Sequence, residues 1–87
     1  MHRYFLHLRD GSDIVADPDG TLMASLEAAV VEATASARWI MADQLRANQG
    51  VTLDRQFEIA DAAGRILGII RFPDALRLRS EGGALSG

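Results

Sequence analysis

Hydrophobic residues recur with the period of a helix over one long stretch of the chain. Between Ser25 and Ala47 they lie three or four residues apart and form one apolar stripe, which comprises Leu26, Ala29, Val30, Ala33, Ala37, Ile40, Met41 and Leu45. Ser25 is a side chain typical of a helix N-cap, and Asn48 and Gly50 tolerate the left-handed backbone that ends many helices. The pattern predicts one long amphipathic helix over residues 25–47.

Apolar and polar residues alternate before this helix, which predicts a β-hairpin. Residues 3–9 place one set of side chains on each face of a strand, with Tyr4, Leu6 and Leu8 on one and Phe5, His7 and Arg9 on the other. Residues 10–12 supply a turn, and Ile14 and Val15 form a short return strand that ends at residues 17–20.

A second hairpin follows the helix. Residues 55–60 alternate as a strand, residues 61–64 turn, and residues 65–72 return. Pro73 cannot donate to a strand ladder, so residues 74–78 are expected to form a helical turn that covers the sheet edge. Glycine and serine in residues 80–87 are typical of a flexible tail.

The order of elements predicts an α+β fold of the type ββαββ. Two hairpins that flank one helix most simply form a four-stranded, largely antiparallel sheet with the helix on one face. The pattern leaves the order of the strands open. We expect one domain over residues 1–79, followed by the tail over residues 80–87.

Composition narrows the class of protein. The 87 residues suffice for one hydrophobic core, and twelve acidic residues outnumber nine basic ones, all of them arginine. This balance weighs against a nucleic-acid-binding role. The chain has no cysteine, and Arg3 and Arg9 precede any long apolar run, so neither a secretory signal nor a membrane span is expected. We therefore expect a cytoplasmic protein, and no residue pattern calls for a cofactor or a metal.

Surplus apolar surface suggests self-association. A helix of this length spans about 34 Å, whereas strands of five or six residues span only about 17–20 Å, so the second half of the helix is expected to overhang the sheet. Residues 66–70 place apolar side chains on both faces of one strand. These features predict a homodimer whose candidate interface comprises Phe5, His7, Leu67, Ile69, Trp39, Met41 and Leu45.

Two clusters have the residue types of chemical sites but also a simpler structural explanation. His7 with Asp10 could act as a base in a small enzyme, although a partly exposed histidine bonded to a neighbour is the more common arrangement. Asp10, Asp13, Asp17 and Asp19 have the oxygen-rich composition of a calcium loop but not the spacing of an EF-hand, and turn formation also accounts for them.

Arg55, Arg65 and Arg71 lie on the second hairpin. They could bind an anion or a nucleic-acid backbone, or they could pair with Glu58 and Asp61 on a solvated surface. The sequence favours the solvated arrangement.

Four segments of the chain resemble one family. They are RYFLHLRDG at residues 3–11, DPDG at 17–20, LEAA at 26–29 and FEIADAAGRIL at 57–67, and the likeness extends to about Leu76. The family consists of short, uncharacterised alphaproteobacterial proteins classed as a domain of unknown function. The resemblance implies a compact fold and a bacterial origin but no activity.

The sequence leaves three functions open. A non-enzymatic interaction module that self-associates accounts best for apolar surface without convergent polar chemistry. A hairpin followed by a helix that starts Ser-Leu-Glu-Ala-Ala is also similar to HicB-type antitoxins, so an antitoxin or nucleic-acid-associated regulator is the alternative. A small enzyme that uses His7 is the third.

Overall fold

A computed structural model describes residues 1–76 of the chain. Over these residues one face of a five-stranded antiparallel sheet carries a long helix, in the element order β1 (His2–Asp10), β2 (Asp13–Val15), β3 (Thr21–Met23), α1 (Leu26–Arg46), β4 (Arg55–Ala60), β5 (Ile66–Arg71) and α2 (Phe72–Ala75). The α+β class and the helix-on-sheet arrangement are confirmed. The sheet has one strand more than predicted, and the tail at residues 80–87 and the domain end at residue 79 lie outside the described residues.

β1 organises the sheet. The strands follow the order β2-β1-β4-β5, and β3 pairs with β1 as well. β2 pairs with residues 8–10 of β1, whereas β3 pairs with residues 2–4. The return strand predicted at Ile14 and Val15 corresponds to β2, whereas β3 was not predicted. Together they form an interrupted return strand, with residues 16–20 as the loop between its two pieces.

The helix agrees closely with its prediction. Ser25 is the N-cap, and its side-chain oxygen accepts a hydrogen bond from the backbone N–H of Ala28 at 3.2 Å. The helix ends at Arg46, and Asn48 has the left-handed φ of 60° that stops further turns. Four residues spaced by four are buried, namely Ala29, Ala33, Ala37 and Met41. Because three of them are alanines, the helix backbone can approach the sheet closely.

The core lies between this helix stripe and the inner face of the sheet. β1 contributes Tyr4 and, less deeply, Leu6 and Leu8, while β4 contributes Phe57 and Ile59. These β1 residues are the ones that alternation places together on one face. The inner face of the sheet could therefore be predicted from the sequence.

The second helix lies earlier than predicted. It begins at Phe72 rather than at residue 74, and Phe72 is fully buried instead of ending a strand. Residues 77 and 78 of the predicted turn lie outside the described residues. Pro73 explains the difference, because a proline is well tolerated in the first turn of a helix, where its missing N–H has no partner to lose. α2 packs on α1, and Arg38 Nε donates to the carbonyl of Ala75 at 2.7 Å.

The strand length on which the expected overhang of the long helix was based is wrong for β1. β1 has nine residues and spans about 30 Å, close to the length of about 31 Å that 21 helical residues give. The segment after the helix also folds back, because Gln44 exchanges two hydrogen bonds with Thr52, at 3.0 and 3.1 Å. Met41 is consequently only 1% exposed and belongs to the core. Neither helix within residues 1–76 has the length and apolarity to span a bilayer.

Candidate functional site

The loop at residues 16–20 is fastened to the edge of β1. Between β2 and β3 the backbone N–H of Leu6 has no strand to bind, and Asp17 Oδ2 accepts its hydrogen bond at 3.2 Å. Asp17 Oδ1 also accepts from the N–H groups of Asp19 and Gly20, at 3.3 and 3.1 Å. One carboxylate thus substitutes for the missing strand and closes the loop on itself.

The charge of Asp17 is stabilised by this arrangement. Burial of the carboxylate raises its pKa, but the backbone hydrogen bonds from Gly20, Leu6 and Asp19 outweigh burial and leave the pKa below its usual value. His7 lowers the pKa further. The ionised form is therefore the one that holds the loop.

His7 takes part in the same loop. Its Nδ1 accepts a hydrogen bond from the backbone N–H of Asp17 at 3.0 Å, so in the neutral ring the proton is on Nε2. Its ring stacks on Phe5, with the ring centres 6.2 Å apart and the planes inclined by 20°. His7 is thus a neighbour-bonded histidine that supports the loop.

The outer face of the sheet, opposite α1, has a polar centre. Glu58 Oε2 accepts hydrogen bonds from Arg9 Nε at 2.6 Å and from Gln56 Nε2 at 2.9 Å. The hydrogen bond from Arg9 lowers the pKa of Glu58, whereas burial raises it. The hydrogen bond from Gln56 lowers the pKa further, so the net shift is downward. The Glu58 carboxylate in turn raises the pKa of Arg9. This buried carboxylate stays ionised because two donors converge on it.

β5 forms one edge of the sheet. It carries three large apolar side chains that remain well exposed, with Ile66 at 48%, Leu67 at 40% and Ile69 at 51%. Its ladder with β4 is irregular between Ile59 and Ala60, where Gly68 and Ile66 are the successive partners. Leu67 is left out of this ladder, as in a β-bulge.

An open pocket of about 310 Å³ lies where β1 ends and β4 begins. Its lining includes Arg9, Arg55, Arg71, Gln56, Asp54 and Gly11. Arg55 Nε contacts Asp10 Oδ2 at 3.2 Å. Arg71 makes no ion pair or side-chain hydrogen bond with any of residues 1–76. We call this site the arginine pocket.

A family model covers residues 3–73 of the chain, and its description is a domain of unknown function, DUF6894. The chain belongs to the DUF6894 family. The resemblance expected from the sequence is confirmed, whereas the alphaproteobacterial origin stays a prediction. No curated protein and no solved structure matches the chain.

Two of the motifs that suggested the family meet in this DUF6894 structure. The opening strand supplies Leu6 and His7, and the DPDG turn supplies the Asp17 groups that bind both of them. Arg3 also donates to the carbonyl oxygen of Asp19, at 2.9 Å. These residues of the two motifs therefore bind one another and hold the loop at residues 16–20 on β1.

The catalytic pair suggested for the DUF6894 chain does not form. His7 and Asp10 are three residues apart on a strand, so they lie on opposite faces of the sheet. Asp10 contacts Arg55 instead. Of the four aspartates that resemble a calcium loop, Asp17 uses its oxygens for backbone N–H groups. Within residues 1–76 no three histidine or acidic side chains cluster as metal ligands do.

The predicted interface residues of the DUF6894 chain fall on separate surfaces. Leu67 and Ile69 lie on β5, whereas Trp39 and Leu45 are 63% and 66% exposed on α1. Six residues at about 100° each place these two about 120° apart around the helix, so they form no common patch. Met41 is removed from the set because it is buried in the core.

The three predicted arginines separate into two groups. Arg55 and Arg71 line the arginine pocket, but Arg65 lies at the opposite end of the hairpin. There Arg65 Nε binds Asp61 Oδ2 at 3.0 Å, and its backbone N–H is the main reason why the pKa of Asp61 is lowered. Sequence reasoning missed Arg9 as the third pocket residue, although its alternation with His7 already placed it on the outer face.

Proposed function

We propose that this DUF6894 chain is a non-enzymatic protein-interaction module that self-associates by pairing β5 with β5 of a second copy. The observation that carries the proposal is the outer edge of β5, which pairs with no further strand among residues 1–76 and carries three exposed apolar side chains. Native edge strands are usually protected by charge, by proline or by a cover. Between Ile66 and Ile70 this strand has neither a charged residue nor a proline.

The edge is a better contact than the whole outer face. A partner that covered the outer face would remove the Arg9–Glu58 ion pair from water, and burial of two charges costs more than their attraction usually returns. Phe5 and His7 are already half-buried beside the loop at residues 16–20. Edge pairing leaves this polar centre in water and adds backbone hydrogen bonds instead.

A second copy is the partner that suits the strand. Two identical antiparallel strands pair about a two-fold axis. Each residue on one side of the axis then pairs with a residue of the same segment on the other side, in the second copy. Residues 66–70 are uncharged, so no like charges meet within this segment, and Arg65 and Arg71 flank it at its two ends. The two sheets then become one continuous sheet, with Leu67 and Ile69 of the predicted interface at its centre.

Light scattering after gel filtration tests the pairing. We expect the wild-type chain to have twice the chain mass at micromolar concentrations, and Ile69→Lys to have the mass of one chain, because a lysine on an edge strand opposes pairing. Val31→Lys is the control, since Val31 is also apolar and, at 69%, more exposed than Ile69, but lies on α1. Its mass should equal that of the wild type.

Single-cysteine variants locate the two-fold axis. The chain has no cysteine, so one can be placed at each position from 66 to 70 in turn. Only positions close to the axis bring the two sulfur atoms within bonding reach, so one or two variants should crosslink on oxidation. A wild-type monomer, or crosslinking that is equal at all five positions, would contradict the proposal.

A further inference from the structure

Three strands present arginine at the same end of the sheet. Arg9 pairs with Gln56 across β1 and β4, and Gln56 pairs with Arg71 across β4 and β5, so the three side chains form one row on the outer face. Strands lie about 4.8 Å apart, which places the backbones of Arg9 and Arg71 about 10 Å from each other. Arg55 lies next to Gln56 and completes the lining of the arginine pocket.

Two of these guanidinium groups are held in place without using all their donors. Arg9 contacts Glu58 through Nε, and Arg55 contacts Asp10 through Nε. Their terminal nitrogens have no hydrogen-bond partner among residues 1–76. The Arg71 side chain has no hydrogen bond or ion pair with any of residues 1–76. The carboxylates therefore orient two arginines that line the pocket and leave their terminal donors available to a ligand.

The pocket lining has an excess of positive charge. Three arginines face one acidic side chain, Asp54, although the whole chain has a net charge of −3. Glu58 and Asp10 are each engaged by an arginine and lie outside the lining. Glu58 and Asp10 offset the charges of Arg9 and Arg55, so the attraction for an anion rests on the guanidinium donors that remain and on Arg71. The net charge of −3 opposes the approach of a long polyanion.

We propose that the arginine pocket binds a small phosphomonoester. A phosphomonoester carries close to two negative charges at neutral pH and has three terminal oxygens, so donors from three strands can each reach one. A phosphodiester carries one charge and offers only two such oxygens. The volume of about 310 Å³ lies at the lower end of the range for small-molecule sites and exceeds what orthophosphate alone would fill. This site goes beyond the β5 pairing and does not depend on it.

NMR titration of the ¹⁵N-labelled full chain tests the proposal, with ribose 5-phosphate as the probe. We expect the amide signals of Gly11, Gln56 and Arg71 to shift and saturate. Dimethyl phosphate, a diester, should cause weaker shifts at the same concentrations. Orthophosphate should bind at the same amides, which would assign recognition to the phosphate rather than to the sugar.

Two variants separate this pocket from general charge. Arg71→Gln should weaken binding about tenfold, since loss of one charge-assisted contact has about that effect. Arg65→Gln removes an arginine from the same hairpin at its other end and should leave the affinity unchanged. Light scattering on both variants shows whether β5 pairing is intact, so a failure of one proposal is distinguished from a failure of the other.

Three results would overturn the phosphomonoester site. They are an absence of saturable shifts around the arginine pocket, an equal loss of affinity in Arg65→Gln and Arg71→Gln, and tighter binding of a single-stranded oligonucleotide than of ribose 5-phosphate. The last result would assign the arginines to a nucleic-acid backbone instead. The affinity for the oligonucleotide would then also fall steeply as the salt concentration is raised.

Discussion

Gly20 is the residue at which the loop meets β1 most closely. Its φ is +67°, a conformation that side chains rarely adopt, and a Cβ atom there would lie 2.9 Å from Tyr4 O, from Arg3 Cγ and from Phe5 Cε2. A glycine is therefore required both by the backbone angle and by the lack of space. The sequence alone predicts only that residues 17–20 form a turn.

Gly20→Ala should destabilise the fold by more than Gly11→Ala does. Gly11 has a similar φ of +64°, but a Cβ atom there would contact nothing, so its substitution measures the backbone term alone, about 1–2 kcal/mol. The carbonyl of Tyr4 belongs to a paired strand and cannot move without disturbing that pairing, so Gly20→Ala should lower the free energy of unfolding further. Urea denaturation of the two variants and the wild type gives the comparison. Equal losses would mean that the loop is not pressed against β1.

Asp17 makes the stability of the chain depend on pH in acid. Its folded-state pKa is lowered, so as pH falls the unfolded chain takes up the proton first and the folded state loses its advantage. The contribution of Asp17 is complete above about pH 5 and is lost as pH falls through about 3.9 and then through the folded pKa. Glu58 and Asp61 act in the same direction.

Asp17→Asn should lower the free energy of unfolding at pH 7 and flatten its decline between about pH 5 and pH 3. Asn cannot accept charge-assisted hydrogen bonds from three backbone N–H groups. Asp19→Asn is the control in the same loop, because the Asp19 side chain has no hydrogen bond within residues 1–76. Thermal unfolding across this pH range is the measurement. An unchanged slope in Asp17→Asn would rule out Asp17 as a source of the acid sensitivity.

At the scale of elements, the predictions succeeded where one local signal decides the structure. Helix α1 has a cap, a period and a stop in its own sequence, and β4 alternates between polar and apolar residues from Gln56 to Ile59. β3 and α2 depend on partners that are distant in sequence. Thr21–Met23 has three residues and acquires its pairing from the first residues of β1, so no local period reveals it. The arginine pocket, likewise, depends on strand order, which the pattern left open.

Phe72 shows that α2 belongs to the core. It is fully buried, and its ring centre lies 5.8 Å from that of Phe57 on β4. Phe72→Ala should therefore destabilise the fold by about 3–5 kcal/mol. Leu76→Ala, at the exposed end of the same helix, should change stability by only about 0.5 kcal/mol. Chemical denaturation of both variants tests this, and similar losses in the two would mean that α2 does not seal the core.

At the scale of the whole molecule, the two faces of the sheet differ in how well the sequence describes them. The inner face follows from alternation and from the helix stripe. The outer face combines an ion pair, a covered aromatic pair and exposed isoleucines. No single sequence pattern distinguishes the covered part of this face from the exposed part. Phe5 and Ile69 looked alike as apolar residues on outer positions, yet only Ile69 is strongly exposed. The loop at residues 16–20 makes that difference, and its position was not predictable from its turn residues.

The interrupted return strand also sets a limit on assembly. On the β2 and β3 side, the hydrogen-bonding groups of β1 are occupied by two short strands and by one carboxylate, and the loop at residues 16–20 projects there. A further strand finds no continuous template on that side. Within residues 1–76 the sheet thus has one blocked edge and one open edge, and the open edge can pair with one neighbour only. We therefore expect β5 pairing to stop at two copies rather than grow into a fibre.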